Sequence, residues 1–198
     1  GCDIWVSKKV GNNFAAPVML KLKLASTKED TLTAGHPAIS ADDDMLVFST
    51  NSPYPGHKGG KDLYMVKLDR DGMPTGTPVN LGAEINTAKD DMFPFLRFDG
   101  SLYYSSNGMQ GMGGMDIYRA EKTGDGQWGH VENMKSPLNS AADDCGISFD
   151  GEHDRGFFTT NRAGGKGQHD IWRFFMPNLE YALQGNVYDK VTGQPIVG

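Results

Sequence analysis

The stretch GGMDIYRA, Gly113–Ala120, decides the fold because it returns along the chain. GCDIWVSK opens the sequence at Gly1, GGKDLYMV spans Gly59–Val66, and QHDIWRFF spans Gln168–Phe175. Aligning the Asp of each copy gives Asp3, Asp62, Asp116 and Asp170, at intervals of 59, 54 and 54 residues. Two further phrases keep step. LVFSTN ends at Asn51, LYYSSN at Asn107 and GFFTTN at Asn161; HPAISADDD from His36, FPFLRFDG from Phe93 and CGISFDG from Cys145 precede them. A fixed period shared by several phrases means a repeated supersecondary unit.

Each unit reads as strands. LYYSSN and GFFTTN are short aromatic runs with Ser and Thr, and DLYMVKL alternates apolar with polar residues. Asp99-Gly100 and Asp150-Gly151 separate the first two runs, a hairpin signal because Gly tolerates the positive φ of a tight turn. Asp43-Asp44 takes that place in the first full unit without a Gly, which predicts a looser turn. A fourth run follows each Asp phrase: TPVNLGAEIN, then WGHVENM.

Short antiparallel strands in fours, repeated at this spacing, predict an all-β fold, a β-propeller of four-stranded antiparallel blades over residues 1–176. The recurring phrase is then a blade's third strand, with Ile117 and Tyr118, or Ile171 and Trp172, on opposite faces of one sheet. The chain starts at a third strand, supplies two full blades and ends with three strands of another. About three and a half blades fall short of the usual four to eight, so the fragment is expected to belong to a larger propeller with its natural N-terminus upstream. Residues 177–184 read as a linker. GNVYDKVTGQPIVG, Gly185–Gly198, breaks the repeat with a strand, a turn at Thr192-Gly193 and the start of another strand, the opening of a second domain.

Bulk properties exclude several classes. The 198 residues are 22% charged and 38% hydrophobic, with a net charge of −6. An acidic chain without a basic stripe does not bind nucleic acid non-specifically. No apolar run approaches the ~20 residues of a membrane-spanning helix.

The sequence offers no catalytic, cofactor-binding or metal site. The acidic runs Asp42–Asp44, Asp90-Asp91 and Asp143-Asp144 recur beside turns, where Asp caps backbone amides. Asp3, Asp62, Asp116 and Asp170 stand in every unit and are read as structural, each carboxylate accepting from amides of its Gly-rich loop. On that reading Asp116→Ala costs about 1–2 kcal/mol. Calcium-loop spacing is absent, His36, His57, His130, His153 and His169 show no metal-ligand spacing, and there is no GxSxG or phosphate loop. Cys2 and Cys145 lack CxxC spacing and are read as bystander thiols.

The loops between second and third strands, SPYPGHKGGK, GMQGMGGM and RAGGKGQH, open on one side of a propeller. Tyr54, Lys58, Met109, Gln110, Met112, Arg162 and Lys166 are therefore candidate partner-binding residues. Met109, Met112 and Met115 suit either an adaptable surface or gaps between blades.

HPAIS, LYYSSNGMQGMGGMDIYRA and TTNRAGGKGQHDIW resemble the WD-like (PD40-type) propeller repeats of OmpA-family peptidoglycan-associated lipoproteins of Bacteroidetes. The tail resembles the start of the carboxypeptidase-regulatory-like β-sandwich that follows the propeller there. The resemblance implies a periplasmic, outer-membrane-associated protein that is not an enzyme and carries no cofactor. It also implies partners among protein subunits of an envelope complex such as the type IX secretion system, and peptidoglycan contact only through a domain outside this chain. The leading expectation is thus a non-enzymatic scaffold linking such a complex to the cell wall. The alternatives are a carbohydrate- or ligand-binding, even carbohydrate-active, propeller with its site in the central funnel, or a TolB-like accessory of envelope transport.

Overall fold

The computed structural model describes residues 2–22, 32–176 and 188–194, and among them there is no helix. Two four-stranded antiparallel meanders follow one another. The first is β5 (Ala34–Ile39), β6 (Met45–Thr50), β7 (Asp62–Lys67) and β8 (Val79–Asn80); the second is β9 (Asp91–Leu96), β10 (Leu102–Ser106), β11 (Asp116–Gly124) and β12 (Gln127–Asn133). A three-stranded sheet completes the series: β13 (Asp144–Phe149), β14 (Arg155–Thr160) and β15 (Asp170–Phe175). Ahead of them, β1 (Trp5–Val6) pairs with β4 (Val18–Met19), and β2 (Lys9–Val10) with β3 (Asn13–Phe14). The first strands β5, β9 and β13 lie against one another, so the sheets fan out from a common edge in a propeller-like stack. The expected linker lies outside the described residues, as does half of the expected second-domain segment. Within Tyr188–Gln194 a turn is closed by Asp189, whose Oδ1 accepts from Val191 and Thr192.

Period-2 alternation with both faces covered builds the core. On β6, Leu46 and Phe48 meet the N-terminal segment through Ile4, Leu20 and Leu22, while Met45 and Val47 meet the second sheet through Leu102, Tyr104 and Tyr118. Tyr118 and Ile117 point to opposite sides, the latter joining Ile147, Phe158 and Phe174 of the third sheet. On β15, Trp172 packs inward and Ile171 is exposed, because no further sheet covers that face among the described residues. β8 is only two residues long, far shorter than TPVNLGAEIN suggested.

The turn at Asp43-Asp44 is not loose. Asp43 itself takes the left-handed φ of 56°. Ser40 Oγ accepts from the amides of Asp44 and Met45, and Ser40 N donates to Met45 O. A side-chain hydroxyl thus supplies the closure that Gly permits elsewhere.

The recurring phrase is explained by what its parts touch. Asp116 Oδ2 accepts from the amides of Met112 (2.7 Å) and Gly113 (3.1 Å), and Asp170 Oδ2 from Lys166 and Gly167. Asp62 Oδ2 accepts from Lys58 N and Asn80 Nδ2. The glycines make room: a Cβ on Gly113 would lie 2.1 Å from the Ala142 carbonyl oxygen, and one on Gly114 2.1 Å from Asp143 Oδ1. The loop of the next sheet therefore passes against bare backbone. There Asp90 Oδ1 accepts from Lys61 N, and Asp143 Oδ1 from Met115 N. Asn86 and Asn139 each grip the third strand of the preceding sheet through both its N–H and C=O, at Leu63 and Ile117. These clasps hold sheet to sheet, and they fix the first strands along the common edge.

Candidate functional site

Positions that hold the stack together repeat almost unchanged: Asp62 and Asp116, Asn86 and Asn139, Asp91 and Asp144, Asn107 and Asn161. Positions facing the common edge do not. The residue before each phrase Asp, whose carbonyl accepts from the next sheet's first strand, is Cys2, Lys61 or Met115. Two residues beyond those donors, Ala34, Asp91 and Asp144, the first strand has His36, Phe93 or Gly146. Where a repeat departs from itself, the shared fold no longer dictates the side chain.

The geometry at the second set is unusual. Each first strand breaks register there, between Gly35 and Ala38, between Met92 and Phe95, and between Cys145 and Ser148. A β-bulge of this kind re-aims a side chain. His36 and Phe93 hold φ of 51° and 54°, a region that non-Gly residues avoid, and Gly146 holds 63°. Such strain concentrates at functional sites. The re-aimed His36 and Phe93 rings stack with centroids 4.1 Å apart and planes at 30°. Burial, helped by the Lys61 charge, pushes the His36 imidazole below its ordinary pKa, so the ring is neutral near pH 7; its buried Nδ1 has no hydrogen-bond partner.

This aromatic ridge is bordered by two clefts. One, of about 520 Å³, is lined by Asp3, Trp5, Thr33, His36, Ser49 and Lys61, among others. The other, of about 550 Å³, is lined by Asp90, Met92, Phe93, Asn107, Asp143 and His169, with Cys145 and Gly146 in its wall. Gly146 leaves the Phe93 edge open, since even a Cβ there would sit 4.0 Å from the ring. The Asp90 and Asp143 carboxyls line the same cleft, each with one oxygen committed to the sheet clasp and Asp143 with its second on Asn161 Nδ2. Both clefts are of ligand size. The Cys145 thiol is buried and pushed up to about 11, which makes it inert near neutral pH, while Cys2 is exposed. Among the described residues no group of three or more His, Cys, Asp or Glu could hold a metal ion.

The candidate loop residues fall in two groups. Lys58, Gln110, Met112 and Lys166 are exposed. Tyr54, Met109 and Arg162 instead turn inward. Tyr54 is buried in the core beneath the first sheet, Met109 packs beside Tyr104 and receives its hydroxyl on sulfur, and Arg162 binds Asp144 and the carbonyls of Pro137 and Leu138. Met115 is also buried, so of the three loop methionines only Met112 is an exposed surface feature. The edge residues His36, Asp90 and Phe93 were missed as a site, and Lys61 was read only as one of the loop residues that suit a protein interface or a glycan surface. Comparing the repeats for where they differ, rather than where they agree, picks out His36, Lys61 and Phe93 from sequence alone.

No family model and no curated protein matches the chain. Solved structures do resemble it. A GH43 endo-arabinanase from Bacillus licheniformis superposes with a TM-score of 0.48 at 15% identity, over 92% of this chain and 63% of its own. An α-L-arabinofuranosidase from Lactobacillus brevis gives 0.45 at 12%, over 91% and 58%. The chain thus spans about three fifths of these neighbours. The likeness is one of fold. Both neighbours are enzymes by name, against the expectation of a protein that is not one, and that expectation is not carried further.

Proposed function

We propose that the chain is the ligand-binding part of a propeller whose ligand is a carbohydrate, held across the His36–Phe93 ridge at the common edge of the sheets. The observation that carries this is the pair of ligand-sized clefts meeting at a strained aromatic stack, built from residues that the repeat does not require. An aromatic face accepts the C–H face of a sugar ring, while Asp90 and Asn107 offer acceptors and a donor for hydroxyls. Titration calorimetry against a panel of plant and bacterial oligosaccharides tests it, with reducing-end release followed in the same samples. Binding that Phe93→Gly abolishes, Gly being the residue at the equivalent place in the third sheet, supports the reading. A panel with no ligand, or one whose binding ignores Phe93, refutes it.

A second reading, an interaction module of an envelope complex in the periplasm, is supported by the half-exposed Met112 among the exposed loop residues Gln110 and Lys166. Photocrosslinking from Gln110 and Lys166 in cells tests it: discrete adducts with envelope subunits support it, and none from correctly placed protein refutes it.

A further inference from the structure

The two clefts are not equivalent, and the difference is one of charge. Lys61 lines the cleft on the His36 side, where the next sheet has Met115. Its backbone amide and carbonyl serve the sheet clasp. Its ammonium forms no ion pair among the described residues, whereas Lys67 and Arg119 on the outer surface each form two. Lys61 puts a positive charge in one cleft of a chain of net charge −6, while the lining of the other has no lysine or arginine. Asp3, the one acidic residue of the same cleft, is engaged in contacts of its own. His36, stacked on Phe93, lines the same cleft as Lys61, and the two are close enough for the lysine charge to act on the imidazole.

We propose that this cleft recognises an acidic sugar, a uronic-acid-type residue whose carboxylate pairs with Lys61 Nζ while its ring lies against the His36–Phe93 stack. The inference rests on the carbohydrate reading above and names the class of sugar. An ammonium outside any ion pair gives a carboxylate a charge-assisted bond that a neutral hydroxyl or ester cannot match. The cleft beyond the ridge, lined by Asp90 and Asp143, repels a second carboxylate, so the acidic unit is placed on the Lys61 side and a neutral unit on the other.

The test compares a short oligogalacturonate with its fully methyl-esterified form by titration calorimetry, at low and high salt. The expected result is an acid preference of about tenfold, equivalent to one ion pair, that shrinks with added salt. Lys61→Met, which installs the residue found in the next sheet, removes the preference and leaves the thermal midpoint unchanged. Lys61→Gln does the same without the added apolar surface. Equal affinity for acid and ester, or a preference that survives in both variants, overturns the inference while the carbohydrate reading stands. If neither form binds, nor any other sugar of the panel, both fall together.

Discussion

Arg162 and Asp91 allow the energetics of the stack to be tested by comparing two places that ought to be alike. Asp144 and Asp91 are equivalent, each fully buried at the start of a first strand and each accepting from the amide and hydroxyl four residues earlier, Ser140 or Thr87. Asp144 has a cation. Arg162 Nη2 lies 2.6 Å from its Oδ1 and also donates to Leu138 O, with the guanidinium 4.9 Å from the Phe158 ring centre. At the matching place after Asn107 the chain has Gly108, where a Cβ would lie 1.9 Å from Thr87 Oγ1, and Met109 sulfur sits against Tyr104 instead. Asp91 has no ion-pair partner among the described residues, and burial, offset in part by hydrogen bonds from Ser106 and Thr87, raises its pKa.

Arg162→Met therefore strands a buried carboxylate and should cost about 3–5 kcal/mol, which for a chain of this size lowers the thermal midpoint by on the order of 10 °C. Asp91→Asn should cost nothing at pH 7 and can stabilise, since it removes an uncompensated buried acid. The sign follows from linkage: a folded pKa above the unfolded one means that the stability Asp91 contributes is present below the unfolded pKa and lost as pH rises through the folded value. The advantage of Asp91→Asn over wild type should accordingly grow with rising pH across that window and then level off. Urea unfolding from pH 4 to 8 measures both. A cost below about 1 kcal/mol for Arg162→Met, the range of exposed pairs, or a large loss in Asp91→Asn at pH 7, would refute the reasoning.

Asp116→Ala removes an acceptor of two loop amides at a site 1% exposed, so about 2–4 kcal/mol is expected in urea melts, above the single-bond cost inferred from sequence. Gly113→Ala drives a Cβ into the Ala142 carbonyl and should cost about 2–3 kcal/mol; Gly151→Ala meets no atom within 4 Å and should cost only the about 1–2 kcal/mol of its φ of 57°. His36, with a depressed pKa, contributes stability present above its unfolded pKa and lost as pH falls through the folded value, so His36→Phe should flatten the stability profile on the acid side of neutrality.

The strand order was legible because period and alternation are local. LYYSSN and DIYRA announce strands whose two faces are both apolar, and the structure covers both faces of the second sheet. The clasp glycines were legible as glycines only. Gly113 and Gly114 read as loop residues, and nothing nearby in sequence says that Ala142 and Asp143 pass over them. Tyr54 and Arg162 looked like loop-surface residues because aromatics and cations in Gly-rich loops often are. Tyr54 is drawn inward by Tyr64 and Phe48, and Arg162 by a carboxylate eighteen positions earlier. The site was hidden for another reason: its residues share no motif, and a bulge that aims His36 at Phe93 joins positions 57 residues apart.

The most direct measurement is backbone and side-chain NMR of the labelled protein during titration with a bound oligosaccharide, reading which amides and rings move. A ligand held across the ridge perturbs the signals of His36, Lys61, Phe93 and Asn107, on both sides of it. Shifts confined to the outer loops around Gln110 and Lys166, with the ridge unmoved, would contradict it.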